Sequence, residues 1–242
     1  MSQPPDYDVI VVGGGPSGAT AANPLARAGH RVMLLDKAGR IKACGGGVPP
    51  RLLRDFDIPL HLLVAHAKSA RIIAPSNKKV VMPVGDGFVG MVDRDTFDEW
   101  LRNRAAEAGA TRVTGKCEGV DDSGEIVTLT YRADRSSETH SVTARAVIGA
   151  DGARSKVAKQ CLPGAERVPC VFAYHEVVEV PDEIDADYEE TRCDVYYQGH
   201  LSPDFYAWIF PHGKTMSIGL GSADKGFPLR ETTRLMREQT GV

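Results

Sequence analysis

The 242-residue chain contains no uninterrupted run of about 18 apolar residues, so no segment reads as a membrane-spanning helix. It also lacks an excess of positive charge: 29 Lys and Arg face 32 Asp and Glu, for a formal net charge of −3. A nucleic-acid binder needs a basic face to displace counterions from phosphates, so nucleic acid is excluded as a partner. Cysteine is scarce. The five thiols (Cys44, Cys117, Cys161, Cys170 and Cys193) are odd in number and include no Cys-x-x-Cys pair, which argues against a disulfide framework or zinc site. The seven histidines are equally dispersed, and no metal is expected. The polar N-terminus leads straight into a strand-like run without a secretory leader, so a reducing, cytoplasmic setting is expected. What is present, 42% hydrophobic and 25% charged residues, is the composition of a globular protein, with no repeats or low-complexity linkers.

The first forty residues carry the strongest signal. Tyr7-Asp-Val-Ile-Val-Val12 is a short β-branched run, the pattern of a strand buried on both faces. It enters Gly13-Gly14-Gly15-Pro16-Ser17-Gly18, which satisfies G-x-G-x-x-G. A helix-like stretch from Ala19 to Ala28 ends at Gly29, and a second strand, Arg31–Leu35, delivers Asp36. In this order each residue type has a role. Gly13 makes a tight turn, Gly15 admits a pyrophosphate, Gly18 lets the helix pack on the strand, and Pro16 and Ser17 open the helix whose amides face the phosphates. Asp36 stands where a carboxylate accepts hydrogen bonds from an adenosine ribose. Pro24, in the middle of the helix, predicts a kink or a local cost of up to about 3 kcal/mol.

The fingerprint alone does not choose between FAD and NAD(P), although Asp36 disfavours a 2′-phosphate. A second segment tips the reading. A strand-like Val142–Ile148 runs into Gly149-Ala-Asp151-Gly152-Ala-Arg154-Ser155, similar to the Asp-Gly motif of the flavin hydroxylase and reductase superfamily, where Asp151 and Gly152 would lie near the FAD pyrophosphate. Asp-Gly also favours an ordinary turn by itself. Between the two motifs, Asp93-Arg94-Asp95 opens a helix, with Asp93 or Asp95 as its cap and Phe97, Trp100, Leu101 and Ala105 as a core stripe. Arg94 is either a solvated helix-entry arginine or, by resemblance to that superfamily, a flavin ligand.

Three stretches together resemble one family, the FAD-dependent geranylgeranyl reductases, in the branch that acts on chlorophyll or bacteriochlorophyll. They are the fingerprint with Asp36; Arg40-Ile-Lys-Ala-Cys44-Gly45-Gly46-Gly47-Val48-Pro49-Pro50-Arg51 with Phe56-Asp-Ile-Pro59; and Pro203-Asp-Phe-Tyr206-Ala-Trp208-Ile-Phe210-Pro211 followed by Gly219-Leu-Gly221. The last matches the family's P-x-x-Y-x-W-x-F-P-x7-G-x-G signature at every fixed position. The resemblance implies reduction of isoprenoid C=C bonds with FAD as cofactor and NADPH or reduced ferredoxin as electron donor. The substrate would be a prenylated small molecule, and contact with a photosynthetic membrane would be peripheral. It places Cys44 and the Gly45-Gly46-Gly47 loop at the flavin, with Cys44 as candidate catalytic residue or as a small buried thiol. Tyr206, Trp208, Phe210, Pro211, Gly219 and Gly221 would then bind substrate. In a strand Tyr206, Trp208 and Phe210 share one face, an apolar wall suited to a prenyl chain, although an aromatic stripe is also ordinary sheet core.

The implied fold is α/β, with a Rossmann-like FAD-binding domain of residues 1–70 and 93–163. A second, mostly antiparallel sheet domain is expected from 71–92 and 164–242. Its strands would be Val168–Val180, Thr191–Gln198, Phe205–Phe210 and Thr215–Gly221. The family's later Gly-Asp motif does not occur before Val242, which implies an incomplete chain and leaves flavin binding to be tested. Asp182 to Glu190, with six acids in nine residues, reads as a solvated loop. Two other functions fit the same motifs, a flavin-dependent aromatic monooxygenase and a non-catalytic flavin- or prenyl-binding module.

Overall fold

The computed structural model describes residues 4–37, 41, 43–181 and 187–242. Arg40 and Lys42 of the cysteine loop, and residues 182–186 of the acidic stretch, lie outside the described residues. In chain order the elements are β1 (Tyr7–Val12), α1 (Pro16–Arg27), β2 (Val32–Asp36), β3 (Gly47–Val48), α2 (Pro50–Asp55), β4 (Leu63–Ala67), β5 (Ser69–Ile73) and β6 (Lys79–Pro83). They continue with β7 (Val89–Val92), α3 (Arg94–Glu107), β8 (Thr111–Asp121), β9 (Val127–Ala133), β10 (Thr139–Gly149) and α4 (Lys156–Cys161). The last are β11 (Phe172–Glu179), β12 (Arg192–Tyr196), β13 (Ala207–His212), β14 (Thr215–Ser222) and α5 (Leu229–Thr240).

The chain divides into two compact units: Met1–Ile41 with Phe97–Val168, and Lys42–Thr96 with Pro169–Val242. In the first, β1 lies between β2 and β10, parallel to both, and β2 is parallel to β8. The long strands β8 and β10 run on into antiparallel pairing with β9, so the ring of strands closes. Continuous apolar sequence in β1 and β2 buries Ile10, Val12, Met33 and Leu35 together with Leu129 and Ala144. Helix α1 packs on these strands through Gly18, Ala19, Ala22 and Ala26, small residues that let two backbones approach closely. It ends as expected: Gly29 takes a left-handed φ of +86°, and its N–H bonds to the Ala26 carbonyl at 2.9 Å. The helix runs unbroken through Pro24, whose ring is exposed.

The second unit holds a six-stranded sheet in the order β11-β14-β13-β12-β5-β6, antiparallel throughout except for the β12–β5 pair. A small sheet, β3-β7-β4, accompanies it. Residues 42–70 and 93–96, expected with the first unit, therefore fall in the second, and 164–168 in the first. The physical reason is strand pairing: β3 and β4 bond to β7, and β5 takes its partner β12 from more than a hundred residues downstream. Strand alternation sorts β13 and β14 onto two faces. Ala207, Ile209, Met216, Ile218 and Leu220 form one buried core with Met236 of α5. Trp208, Phe210 and His212 point the other way.

Candidate functional site

The fingerprint in the first unit leaves the N-terminus of α1 open. A Cβ on Gly13, whose φ is +106°, would lie 2.3 Å from the Ala150 carbonyl oxygen, and one on Gly18 would lie 1.8 Å from the Gly13 oxygen. Above Gly15, in contrast, there is nothing within 4 Å. Gly15 is the N-cap of α1 and no side chain caps that end; Pro16 and Ser17 form its first turn. The glycines thus hold turn, strand and helix together while leaving the helix N-terminus uncovered. This cradle fits a dinucleotide pyrophosphate. Asp36 closes its far side, packed against Gly14, whose Cβ would sit 2.8 Å from that of Asp36.

Arg102 of α3, which the sequence analysis did not single out, donates to the Gly14 carbonyl at 3.1 Å and lies 3.5 Å from Asp36 Oδ2. It steadies the carboxylate expected at the ribose. On a polar helix face an arginine gives no signal of its own in the sequence. Asp151 is committed locally: its carboxylate accepts from Ser155 Oγ and from the Lys156 amide at 2.6 Å, fastening the start of α4. Gly152, with φ of +86°, makes the turn before it. The Asp151 side chain therefore shapes the Asp-Gly loop.

In the second unit the structure joins two stretches that lie far apart in sequence. The Cys44 loop rests on β13: a Cβ on Gly45 would come within 2.4 Å of the Phe210 ring, and one on Gly46 (φ +75°) within 2.5 Å of the Val92 oxygen. Gly47 pairs with Met91 in the small sheet. The half-buried Cys44 sulfur accepts from the Gly46 amide at 3.5 Å. Arg94 is half-buried at the start of α3, on the same turn as Asp93. The aromatic residues stack in series: Phe205–Tyr206 at 4.1 Å, Tyr206–Trp208 at 5.9 Å and Trp208–Phe210 at 6.1 Å between ring centroids. Such pairs contribute about 0.5–1.5 kcal/mol each beyond area burial. Trp208 is 3% exposed, so it is the packed centre of the wall, with Tyr206 and Phe210 as its accessible parts. Burial, reinforced by Tyr197 and Cys44, raises the Tyr206 pKa and makes its phenol a poorer proton donor.

Three of the residues expected at the substrate either turn away from the aromatic wall or support it from beneath. Pro211 shares the Ile209 face, turned toward α5 and away from the aromatic wall, because side chains alternate along β13. A Cβ on Gly219 would meet Trp208 at 2.5 Å, and one on Gly221 would meet Phe205 at 2.7 Å. Those two glycines make room for the aromatic side chains themselves. Sequence reasoning also missed His212, a buried ring whose Nε2 lies 3.1 Å from the Gly45 oxygen and whose Nδ1 lies 3.0 Å from Asp93 Oδ1. Beneath the wall, Trp208 Nε1 donates to Ser217 Oγ at 3.1 Å, and His175 Nδ1 meets the same hydroxyl. Desolvation, then the nearby His212, lowers the His175 pKa.

The described part of the acidic stretch, residues 187–190, departs from the solvated loop expected of it. Asp187 and Glu189, though exposed, reach Arg71 and Arg192, which are themselves buried around Asp194. Asp194 accepts from Arg71 Nε at 3.0 Å and from Arg192 Nε at 2.8 Å. Burial alone would lower the Arg71 pKa, but the bonds to Asp194 and Asp187 outweigh it and raise the value.

Residues 7–186 match the family model described as pyridine nucleotide-disulphide oxidoreductase. The chain belongs to the pyridine nucleotide-disulphide oxidoreductase family. The match agrees with the FAD-binding domain that the family resemblance implied. The chain is 54% identical over 237 residues to a geranylgeranyl diphosphate reductase of Rhodobacter capsulatus, covering 98% of this chain and 60% of that protein. It is 36% identical to a chloroplastic geranylgeranyl diphosphate reductase of Oryza sativa, covering 88% of this chain and 48% of the relative. A solved structure described as geranylgeranyl bacteriochlorophyll reductase-like, from Thermoplasma acidophilum, superposes with a TM-score of 0.79 at 27% identity, over 96% of this chain and 62% of that one. The resemblance read from the motifs thus extends over nearly the whole sequence. The chain spans 60% and 48% of the lengths of the two reductases it matches.

Proposed function

We propose that this chain is the flavin- and substrate-contacting part of an FAD-dependent reductase that saturates C=C bonds of a geranylgeranyl chain, carried as the free diphosphate or as the tail of a (bacterio)chlorophyll. The observation that carries the reading is the seating of the Cys44 loop on the Trp208–Phe210 face of β13, where the space above Gly45 is taken by the Phe210 ring. Loop and strand are two of the three stretches by which the sequence resembles geranylgeranyl reductases, and here they lie in contact.

The residues suit the chemistry. FAD, when bound and reduced, supplies a hydride; the other alkene carbon needs a proton, so one C=C becomes CH–CH with two hydrogens gained. Gly13, Gly15, Pro16, Ser17 and Gly18 would hold the pyrophosphate on the α1 N-terminus, and Asp36, steadied by Arg102, the adenosine ribose. Gly45, Gly46 and Gly47 would bring backbone close to the flavin ring, with Arg94 toward its polar chain. Tyr206 and Phe210 present apolar surface to a prenyl chain and keep water from it, backed by Trp208. Cys44 is the residue assigned to assist protonation or to shape the pocket. The electron donor in this reading is NADPH or reduced ferredoxin.

The deciding experiment incubates the flavin-loaded protein with geranylgeranyl diphosphate or the geranylgeranylated pigment. The expected product gains the mass of two hydrogens per step, and Cys44→Ser lowers turnover. Substrate unchanged with either donor overturns the reading. Oxygen consumption coupled to NAD(P)H with an aromatic substrate would point instead to a monooxygenase. Because a prenyl chain partitions into lipid, the reading includes peripheral contact with a photosynthetic membrane, tested by co-flotation with lipid vesicles. None of the helices among the described residues is long and apolar enough to cross a membrane.

A further inference from the structure

We propose that His212 is a positioning residue that fixes the Cys44 loop through its bond to the Gly45 carbonyl. The ring is 7% exposed at the end of β13, on the face shared by Trp208 and Phe210. Its two nitrogens face two acceptors from distant parts of the sequence, the Gly45 oxygen at 3.1 Å and Asp93 Oδ1 at 3.0 Å. One imidazole therefore ties together the loop, the turn that leads into α3 at Arg94, and the aromatic strand.

The packing around it is tight and specific. A Cβ on Gly46 would lie 2.7 Å from His212 Cε1, so the loop backbone rests directly against the ring. The Gly46 oxygen accepts from the Val92 amide at 2.9 Å, a second tether from the same turn. Residues 43–46 belong to no helix or strand, so the position of Cys44 depends on these few bonds. A core histidine needs a partner only for its polar atoms. Here each nitrogen instead reaches a segment that bears a candidate site residue, Cys44 beside Gly45 and Arg94 beside Asp93. The meaning of that positioning rests on the reductase reading, whereas the geometry stands without it.

Alkylation of Cys44 by iodoacetamide, followed peptide by peptide in the 242-residue chain, tests the assignment without turnover or bound cofactor. The two amide replacements separate the two bonds. The Gln amide nitrogen reaches the Nε2 position and can still donate to Gly45, whereas the Asn amide takes the Nδ1 position and faces Asp93 only. Loss of the Gly45 bond should raise the Cys44 rate about tenfold in His212→Ala and His212→Asn, while His212→Gln stays within about twofold of the native chain. Labelling of Cys170, in the same unit, should not change. An unaltered Cys44 rate in His212→Ala overturns the proposal, as do equal rates in the Gln and Asn variants. If His212→Ala loosens the whole unit, seen as a parallel rise at Cys170, the Gln and Asn pair decides. Should labelling follow expectation while the flavin-loaded protein reduces no geranylgeranyl substrate, the reductase reading fails and the positioning role remains.

Discussion

Glycines and buried polar groups make sharp demands on single residues of this chain. Gly18 is the tightest case, because a methyl there would lie 1.8 Å from the Gly13 oxygen. Gly18→Ala should cost about 1–3 kcal/mol by overpacking and abolish flavin uptake. Urea unfolding and quenching of flavin fluorescence measure the two effects. His175 makes a prediction about pH. Burial, and then the neighbouring His212, lowers its pKa from 6.5 in the folded state. Between 6.5 and that lower value the unfolded chain binds the additional proton. Its contribution leaves stability intact above about pH 6.5; stability declines as the pH falls below this and levels off beneath the folded pKa. His175→Gln should remove that part of the slope in urea midpoints measured from pH 8 to pH 5.

Among elements, α1 and the β5–β12 pair carry the clearest consequences. Pro24 lies on the exposed side of an unbroken helix, where its ring crowds the Thr20 carbonyl and offers no amide proton. Pro24→Ala loses no packing and should raise stability by about 2 kcal/mol, read from the thermal or urea midpoint. Asp194 is 3% exposed and holds two buried arginines across β5 and β12. Asp194→Ala removes the one buried carboxylate shared by both guanidiniums, leaving them only the exposed Asp187 and Glu189, and should cost about 3 kcal/mol in the same measurement. These two elements also differ in how far they could be read in advance. β1 was visible as Tyr7–Val12 because an unbroken β-branched run has few other readings. The charged pins of β5 and β12 were not, since Arg71 and Asp194 are 123 residues apart and each looks like surface charge alone.

For the whole molecule, cofactor binding is the property that links fold to function. A ligand that binds only the folded chain stabilises it by mass action. FAD at about a hundred times its Kd should therefore raise unfolding free energy by about 2.7 kcal/mol, checked by thermal melts with and without FAD. No shift at saturating FAD would mean that the cradle around Gly15 needs the part of the reductase length that this chain does not span. The sequence by itself determined the dinucleotide fingerprint, the strand–helix–strand order around it and the family signature, because these are local patterns whose spacing is their meaning. Only the tertiary structure decided which unit residues 42–70 join, that the Cys44 loop rests against Phe210, that Pro211 turns away from the wall, and that His212, Arg102 and Asp194 serve as ties. Those outcomes depend on strand pairing and side-chain packing between segments far apart in the chain, and no local pattern encodes which distant neighbour a strand or a buried charge will meet.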